Sequence, residues 1–432
     1  MDSLSHVFRG LFGFLVFLAL AYACSSNRKA INWRLIAAGV LLQFVIGGLV
    51  LHVDAVRGVF DVVGSWFVSI LDFNKAGAEF LFGGLVNDPK TFGFIFAFNV
   101  LPTIIFFSAL TSLLFYLGIL QKVVLAFAWV LSKTMNLSGA ESLSASGNIF
   151  LGQTEAPLLI RPYLNTMTRS ELLAVMVGGM STIAGGVMMA YIALLGGEDP
   201  AQRLLFTKHL LTASVMSAPA ALVVAKLLIP QTEEVNRDLE VSRERIGANA
   251  LESIAIGTTD GVKLAVNVGA MLLVFTALIA LVNGMLSGSL GEWTGLNAWI
   301  AETTSGRHTS LSLQYVFGVV FAPVAWLMGV SPQHLTAAGQ LIGEKTILNE
   351  FYAYNSLAVA KNNGTLPELR DQLIVTYALC GFSNIASIGI QVGGIGALAP
   401  EKRSELARLG WRALLGGSLA CFLTACIAGV LS

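Results

Sequence analysis

The sequence predicts an all-α polytopic membrane protein with about eight transmembrane helices, two re-entrant helical hairpins and two broken helices in inverted repeats. Three observations predict this fold: few charged residues, several long apolar runs, and an internal repeat. Of the 432 residues, 55% are hydrophobic and 12% are charged, whereas soluble domains carry about 25% charged residues. The net charge is zero, so no basic surface points to a nucleic acid partner, and the lipid bilayer is the expected surrounding.

The apolar runs are long enough for membrane spans, since a transmembrane helix needs about 20 predominantly apolar residues. The N-terminal segment MDSLSHVFRG leads into the first run without the small-residue cleavage site of a signal peptide, so we interpret this run as a first span. The clearest runs cover residues 10–24, 35–51, 92–120, 170–196, 204–229, 262–286 and 410–431.

Lysine and arginine between the runs predict the orientation, because basic residues are enriched in cytoplasmic loops. Stretches 25–34 and 401–412 are both basic, which places them inside and both chain termini outside. The long stretch 52–90 is acidic on balance, as an external loop is allowed to be. Stretch 231–246 is internal by span counting although it is also acidic.

The chain contains an internal repeat. Three blocks of the first half recur in the same order in the second half, separated by single-residue gaps. LQKVVLAFAWVLSKTMNLS (120–138) matches LQYVFGVVFAPVAWLMGVS (313–331), GNIFLGQTEAPLLI (147–160) matches GQLIGEKTILNEFYAY (339–354), and MSTIAGG (180–186) matches FSNIASI (382–388).

The middle block of each copy is an apolar segment interrupted by polar residues, and Pro157 interrupts the first. We interpret both as re-entrant hairpins, because unwound backbone at membrane depth requires surrounding protein or water. Three full spans then separate equivalent points of the two copies, and an odd number inverts the second copy. Inverted repeats with broken helices near the midplane are typical of secondary transporters.

The repeat also predicts the domain organisation. The blocks at 120–138 and 313–331 are predicted interfacial helices, although 313–331 is also compatible with an ordinary span. The predicted units are residues 1–90 as N-terminal spans and external segment, 91–229 as first repeat, 230–261 as cytoplasmic linker, and 262–432 as second repeat.

Two carboxylates lie inside the predicted hairpins, Glu155 in the first and Glu350 in the second. Ionisable groups cost about 2.5–3.5 kcal/mol at the membrane centre and usually mark a binding site or pathway. Each has an amide neighbour, Gln153 or Asn349, and such groups suit a ligand rich in hydroxyl and amide groups. The structural alternative is an ion pair that fixes each hairpin, between Glu155 and Arg161 or Arg169, and between Glu350 and Lys345.

The third block of each repeat predicts a broken helix. In STIAGG, two glycines and small side chains suit a helix that unwinds and exposes carbonyl oxygens. These carbonyls, with Asn148 and the Thr182 hydroxyl, form the hard-oxygen environment that Na⁺ prefers. Close helix packing through small residues is the alternative. In FSNIAS, Asn384 and Ser387 are predicted to share a helix face beside Phe382, an arrangement that suits a sugar and a stacked ring.

Signals for an enzyme are poor. The five histidines are scattered, and the G-x-G-x-x-A match at 394–399 follows no predicted strand. A membrane hydrolase with Glu155 and Glu350 as acid and base would lack a nucleophile or metal ligands. A carrier of another polar solute and a passive channel are the remaining alternatives.

Four motifs, GQTEAPLLI, MSTIAGGVMMAYI, LNEFYAY and CGFSNIASIGIQVGGIGALAPEKR, closely resemble the concentrative nucleoside transporter family. The resemblance extends over nearly the whole chain from about residue 35, and the short N-terminus is similar to that of the bacterial eight-span members. It implies a homotrimer in a bacterial inner membrane that imports nucleosides such as uridine with a cation gradient, usually Na⁺ and in some members H⁺.

The resemblance also implies roles for individual residues. Phe382 would border the substrate site. Gln153, Thr154 and Glu155 would bind the nucleobase, with Val187 lining that side, and Glu350, Asn384 and Ser387 would hold the ribose hydroxyls. The Na⁺ site would comprise Asn148, Thr182 and the backbone carbonyls of Leu151 and Ile183.

Two positions of the Na⁺ site depart from the family pattern, which often has Ser at Thr182 and Val at Leu151. Both changes retain the hydroxyl or carbonyl oxygen, so Na⁺ coupling remains the expectation.

Overall fold

The computed structural model describes residues 2–241, 247–304, 306 and 308–432. Residues 242–246 of the predicted linker lie outside the described residues. The described part of the chain consists of helices and connecting loops and contains no β-strand. The all-α prediction is therefore confirmed.

The N-terminal region forms two long apolar helices, one long amphipathic helix, three short helices and a final helix of 16 residues. Asn32 caps the second helix by accepting hydrogen bonds from the N–H groups of Arg34 and Leu35. The helices are α1 (Asp2–Ala23), α2 (Trp33–His52), α3 (Asp54–Phe82), α4 (Gly84–Asn87), α5 (Pro89–Phe92), α6 (Phe96–Asn99) and α7 (Leu101–Tyr116).

The stretch 52–90, predicted as an external loop, is mostly helical, and α3 forms most of it. Its acidic residues pair with bases near the start of the long helix that begins at residue 200. Asp61 forms an ion pair with Lys208 at 2.7 Å, and Asp72 accepts a hydrogen bond from Arg203 at 3.4 Å. Large apolar side chains such as Phe80 face outward, so one face suits lipid and the other carries the ion pairs.

The first repeat contains a hairpin and a broken helix. The N-cap residues Ser138 and Thr168 each form a capping box with the glutamate three residues later, Glu141 and Glu171. The helices are α8 (Ile119–Met135), α9 (Gly139–Gly147), α10 (Ala156–Leu159), α11 (Arg169–Ser181), α12 (Gly185–Gly196) and α13 (Pro200–Leu228).

The second repeat follows a 36-residue helix that continues as a π-helical turn, Leu286–Gly291. Asn349 and Asn384 cap two of its helices through their side-chain oxygens. The helices are α14 (Ala250–Met285), α15 (Leu296–Thr303), α16 (Leu313–Leu327), α17 (Leu335–Ile347), α18 (Glu350–Asn362), α19 (Leu369–Leu379), α20 (Ile385–Leu398) and α21 (Arg403–Leu431).

Seven helical segments of the described chain are long and apolar enough to cross a membrane, and they coincide with the seven predicted runs. The α19–α20 pair, the counterpart of the broken α11–α12 segment, stays the predicted eighth span. Helices α8 and α16 have 17 and 15 residues, fewer than the roughly 20 that a span needs. Their interfacial location stays a prediction.

Burial divides the spans into an inner and an outer group. In the most apolar 18-residue stretch of Arg169–Gly196, and likewise of Pro200–Leu228, 94% of the residues are buried inside the protein, whereas 17% are buried in that of Ala250–Gly291. Helix α14 packs mainly along α7, so its remaining apolar surface is available to lipid or to another protein surface.

The two repeats pack in equivalent ways. Helix α8 contacts α9 as α16 contacts α17, and α11 contacts α13 as α19 contacts α21. The halves also interlock, because α11 packs against α21 and α19 against α13. The core therefore consists of both repeats together.

At the base of the first hairpin, a buried ion pair joins Glu141 of α9 to Lys226 of α13. Lys226 also donates to the hydroxyl of Ser170, at the start of α11, at 2.9 Å. The lysine thereby connects the hairpin, the broken helix and the last helix of the repeat.

The second hairpin has an equivalent connection with different chemistry. Ser331 and His334 occupy the repeat positions of Ser138 and Glu141. His334 Nδ1 lies 2.7 Å from the carboxylate of Asp371 in α19, and Arg370 donates to the carbonyl of Gly429 in α21. In both repeats a charged pair thus fixes the start of the hairpin and contacts the first turn of the adjacent broken helix, through Ser170 in the first repeat and Asp371 in the second.

Replacing Lys226 with methionine is expected to destabilise the protein by about 3–5 kcal/mol, because it leaves the Glu141 carboxylate buried without its cation. Thermal unfolding in detergent measures this as a lower midpoint. Lys263→Met is the matched control, since Lys263 forms an exposed pair with Asp260 at 3.3 Å, and such pairs contribute about 0–1 kcal/mol. Equal midpoints for the two variants would contradict the expectation.

Candidate functional site

The first hairpin turns at residues 148–155, between α9 and α10. Gly147 permits the close return of the chain, because a Cβ there would lie 2.7 Å from Leu159 Cδ1. The predicted polar residues Gln153, Thr154 and Glu155 therefore lie at the tip of the hairpin. The hairpin begins at Gly139, earlier than the predicted range 147–160, because the Ser138 cap starts its helix.

The two predicted breaks are present and adjacent. Helix α11 ends at Ser181, and Thr182 is extended with φ −124° and ψ 168°. The second break separates α19 from α20 at residues 380–384. The Phe382 N–H donates to the Thr182 carbonyl at 3.3 Å, so backbone from both repeats meets at one place.

A chain of hydrogen bonds connects the two hairpins through the start of α20. Gln153 Nε2 donates to Ser387 Oγ at 3.2 Å, and Asn384 Nδ2 donates to Glu350 Oε2 at 2.7 Å. Asn384 Oδ1 accepts the Ser387 N–H at 2.9 Å. All four side chains are buried. Four residues predicted for one site are therefore brought together from both repeats.

One detail of this prediction is wrong. Asn384 and Ser387 were predicted to share a helix face, but Asn384 has φ −135° and ψ 165° and precedes the helix as its N-cap. An N-cap oxygen accepts hydrogen bonds from the first turn, so the three-residue spacing reflects capping.

Glu155 is not part of the hydrogen-bond chain between Gln153 and Glu350. Its carboxylate accepts the Gly152 N–H at 2.8 Å, and it forms no ion pair with Arg161 or Arg169. It lines a cavity of about 150 Å³ between the first hairpin and helices α7 and α14, together with Val187 and Asp260. The alternative of a hairpin fixed by a Glu155–arginine pair is therefore wrong.

Thr154, the remaining residue of the tip, lies against α20. A Cβ on Gly394 would come within 2.9 Å of its methyl group, so the glycine allows α20 to approach the hairpin closely.

Asn148 of the first hairpin is almost completely buried, and neither its Oδ1 nor its Nδ2 has a hydrogen-bond partner among the described residues. Thr182 donates its hydroxyl proton to the Gly178 carbonyl at 2.9 Å, which leaves its oxygen lone pairs as acceptors. Within the described chain, the carbonyls of Leu151 and Ile183 accept no hydrogen bond. Four uncommitted oxygens of this kind suit a hard cation.

Small-residue packing, the alternative for this break, is also present. A Cβ on Gly185 would lie 2.4 Å from the ring of Phe107 in α7. The glycine therefore serves close packing, while the oxygens of Asn148 and Thr182 are left for another role.

Two groups of side chains beside the site were not predicted from the sequence. Tyr191 stacks on Tyr354 with ring centroids 4.0 Å apart, and Phe351 packs edge-on against Tyr191. Gln391 of α20 is fully buried and donates to the Met176 carbonyl at 3.0 Å, while its Oε1 has no partner among the described residues. A glutamine inside an apolar helix is the signal that could have identified it.

Lys345 does not form the ion pair that was considered as the structural alternative for Glu350. Its ammonium group donates to the carbonyl of Ala378 at 2.8 Å, and no carboxylate of the described chain lies within 4 Å of it. The hydrogen-bond partner of the Glu350 carboxylate is instead Asn384.

Three family models match the chain. "Na+ dependent nucleoside transporter C-terminus" matches residues 209–429, "Na+ dependent nucleoside transporter N-terminus" matches residues 12–85, and "Nucleoside recognition" matches residues 97–198. Their order follows the chain, and together they cover most of it.

Individual relatives agree with the models. An "Uncharacterized transporter" of Haemophilus influenzae is 42% identical over 98% of this chain and 97% of its own length. "Sodium/nucleoside cotransporter 1" of Rattus norvegicus is 40% identical over 97% of this chain, which spans 63% of that protein. The solved structure of CNTnw in an inward-facing substrate-bound state superposes with a TM-score of 0.88, at 39% identity, over 99% of this chain and 98% of its own.

Proposed function

Because this chain belongs to the Na⁺-dependent nucleoside transporter family, we propose that it is a Na⁺-coupled symporter that imports nucleosides by alternating access. Family membership makes it an integral membrane nucleoside transporter and not an enzyme. The observation that carries the proposal is the hydrogen-bond chain from Gln153 through Ser387 and Asn384 to Glu350. It supports one polar site built from both hairpins.

The ribose side of this site is assigned to Glu350, Asn384 and Ser387. An ionised carboxylate accepts several hydrogen bonds at once, so Glu350 suits vicinal hydroxyl groups. Phe382 would border the sugar. The Tyr191–Tyr354 stack supports the rigidity of the hairpin that holds Glu350.

The nucleobase side is assigned to Gln153, Thr154 and Glu155, with Val187 beside them. The amide of Gln153 can donate and accept, which matches the mixed edge of a base. Glu155 and Val187 both line the cavity between the hairpin and the α7–α14 pair, which supports a position at the edge of the substrate path.

The coupling ion is assigned to Asn148, Thr182 and the carbonyls of Leu151 and Ile183. These oxygens would coordinate a bound Na⁺. The lack of a hydrogen-bond partner for the Asn148 oxygen among the described residues supports the assignment. The Phe382–Thr182 hydrogen bond joins the ion side to the substrate side, so occupancy of one can stabilise the other.

The transport cycle would move the hairpins and broken helices against a scaffold that includes α7 and α14. The proposed boundaries are 1–90, 91–229, 230–261 and 262–432, with both termini outside a bacterial inner membrane. The low burial of α14 supports its use as the contact surface of a homotrimer.

Substitutions at two neighbouring glycines test the nucleobase assignment and the ion assignment independently. A Cβ on Gly179 would lie 2.7 Å from Gln391 Nε2 and 3.0 Å from Gln153 Cβ, whereas one on Gly178 would lie 3.2 Å from Asn148 Nδ2. Gly179→Ala is expected to raise the nucleoside Kd about fivefold or more at saturating Na⁺, because overpacking costs at least about 1 kcal/mol. Gly178→Ala should instead raise the Na⁺ concentration for half-maximal binding. Calorimetry on both variants checks this, and identical profiles would contradict it.

Uptake of labelled uridine into proteoliposomes tests the function. An inward Na⁺ gradient is expected to drive saturable accumulation above the equilibrium level. Accumulation driven only by a pH gradient would replace Na⁺ with H⁺ as the coupling ion. Flux that neither saturates nor responds to either gradient would identify a passive channel, and transport of other solutes but not nucleosides would refute the assigned substrate.

A further inference from the structure

Lys345 is the most deeply buried cation of the second hairpin, with a relative exposure of 1%. Its Nζ donates to the Ala378 carbonyl at 2.8 Å. Ala378 belongs to the last turn of α19, immediately before the second break. The ammonium therefore lies at the negative end of a half-helix, where a cation is stabilised by the helix dipole and the free carbonyls.

The first repeat has the same arrangement of elements but no lysine there. Thr182 directly follows the last residue of α11, and Asn148 of the hairpin lies beside the last turn of α11, where a Cβ on Gly178 would be 3.2 Å from its Nδ2. This is the place assigned above to Na⁺. Each repeat thus has a position for a cation where a hairpin meets the carboxyl end of a broken helix.

The repeat register relates these two positions. Ser138 and Ser331 are 193 residues apart, and Glu155 and Glu350 are 195 residues apart. The counterpart of Leu151, whose carbonyl is assigned to Na⁺, therefore falls within residues 344–346. Lys345 is in the middle of this range.

We propose that the ammonium group of Lys345 is a built-in cation, which occupies in the second repeat the position that the coupling Na⁺ takes in the first. The proposal rests on the Na⁺ site proposed above. It follows that the carrier takes a single Na⁺ per nucleoside, because its second symmetric cation position is filled by a group of the chain itself.

The surroundings of the Lys345 ammonium group resemble those of a bound cation more than those of a lysine in an ion pair. The described chain offers no carboxylate within 4 Å of its ammonium, and its recorded acceptor is a backbone carbonyl, the kind of ligand that unwound transporter helices give to Na⁺. The positive charge of Lys345 interacts electrostatically with Glu350, in the same hairpin, and with Cys380. The fixed charge can therefore balance Glu350 without blocking its hydrogen bond to Asn384.

The test measures the Na⁺ dependence of uridine binding by calorimetry for Lys345→Ala and Lys345→Met. Alanine removes the charge and leaves room for an ion, so the Hill coefficient for Na⁺ is expected to rise from about 1 towards 2, the number of sites then open. Methionine removes the charge but fills the space. Its uridine Kd is expected to rise about tenfold or more and to stay high at every Na⁺ concentration.

Lys361→Met is the matched control. Lys361 lies in the same hairpin and also donates to a backbone carbonyl, that of Leu195 at 2.6 Å, but away from both breaks. This variant is expected to keep the parent's Hill coefficient and affinity. If it changes the Hill coefficient as Lys345→Ala does, the proposal is overturned.

The proposal is also overturned if Lys345→Ala keeps a Hill coefficient of about one, whether its affinity is unchanged or lost. If Lys345→Ala does not fold, the flux ratio of the parent decides: one Na⁺ per uridine in proteoliposomes supports the proposal, and two Na⁺ overturn it. Failure of the proposed function looks different, since the parent would then show no Na⁺-dependent uridine binding.

Discussion

Glu350→Gln is expected to raise the Kd for uridine about 10- to 100-fold, because hydrogen bonds to a charged group contribute about 1.5–3 kcal/mol. The carboxylate accepts from Asn384 at 2.7 Å and is assigned to the ribose hydroxyls. A glutamine retains the shape but offers one acceptor oxygen and a donor, so it cannot satisfy Asn384 and two hydroxyls together. Calorimetry at saturating Na⁺ measures the change.

Glu344→Gln is the matched control for this experiment. Glu344 is another buried carboxylate of the same hairpin, and it accepts from Gln340 at 2.9 Å, outside the proposed site. We expect its uridine affinity to change less than about threefold. Unchanged binding in Glu350→Gln would refute the ribose role, and equal losses in both variants would show that hairpin stability accounts for the effect.

Asn148→Ala is expected to raise the Na⁺ concentration for half-maximal uridine transport about tenfold or more. Removing one ligand of the proposed cation site costs on the order of 1.4 kcal/mol or more, which is tenfold in affinity. The maximal rate at saturating Na⁺ should change much less, because the substrate contacts are retained. Initial rates of uptake over a series of Na⁺ concentrations measure both quantities.

Ser146→Ala provides the comparison for Asn148→Ala. The Ser146 hydroxyl is buried in the same hairpin and likewise has no partner among the described residues, but it was not assigned to the ion. Its Na⁺ dependence should match that of the parent. An unaltered Na⁺ dependence in Asn148→Ala, or an equal shift in Ser146→Ala, would count against the ion site.

Much of the fold was predictable because the bilayer imposes simple rules on sequence. Apolar runs predicted the seven helical segments that are long and apolar enough to cross a membrane, and the repeat predicted both broken helices. The first hairpin was predicted to begin at residue 147, but it begins at Gly139, because its first helix starts at a capping box. The pattern S-x-x-E at Ser138–Glu141 was readable in the sequence.

Other features depend on contacts between distant parts of the chain. The acidic residues of α3 looked like those of an external loop, because their partners Arg203 and Lys208 lie more than a hundred residues later. The same holds for the site. Gln153 and Ser387 were predicted from separate motifs, whereas their direct hydrogen bond and the nearby Gln391 required the packing of α20 on the first hairpin.

The combination of Glu155, Glu350 and Lys345 also has an electrical consequence. With all three ionised, these groups carry one net negative charge, and one bound Na⁺ neutralises it. In the loaded carrier, these three groups and the ion would then add no electrical work to the inward step, whereas in the empty carrier they would return outward with one net negative charge. A membrane potential of 100 mV, negative inside, favours that return by up to about 2.3 kcal/mol. The voltage would therefore drive the resetting of the carrier and leave the inward step to the concentration gradients.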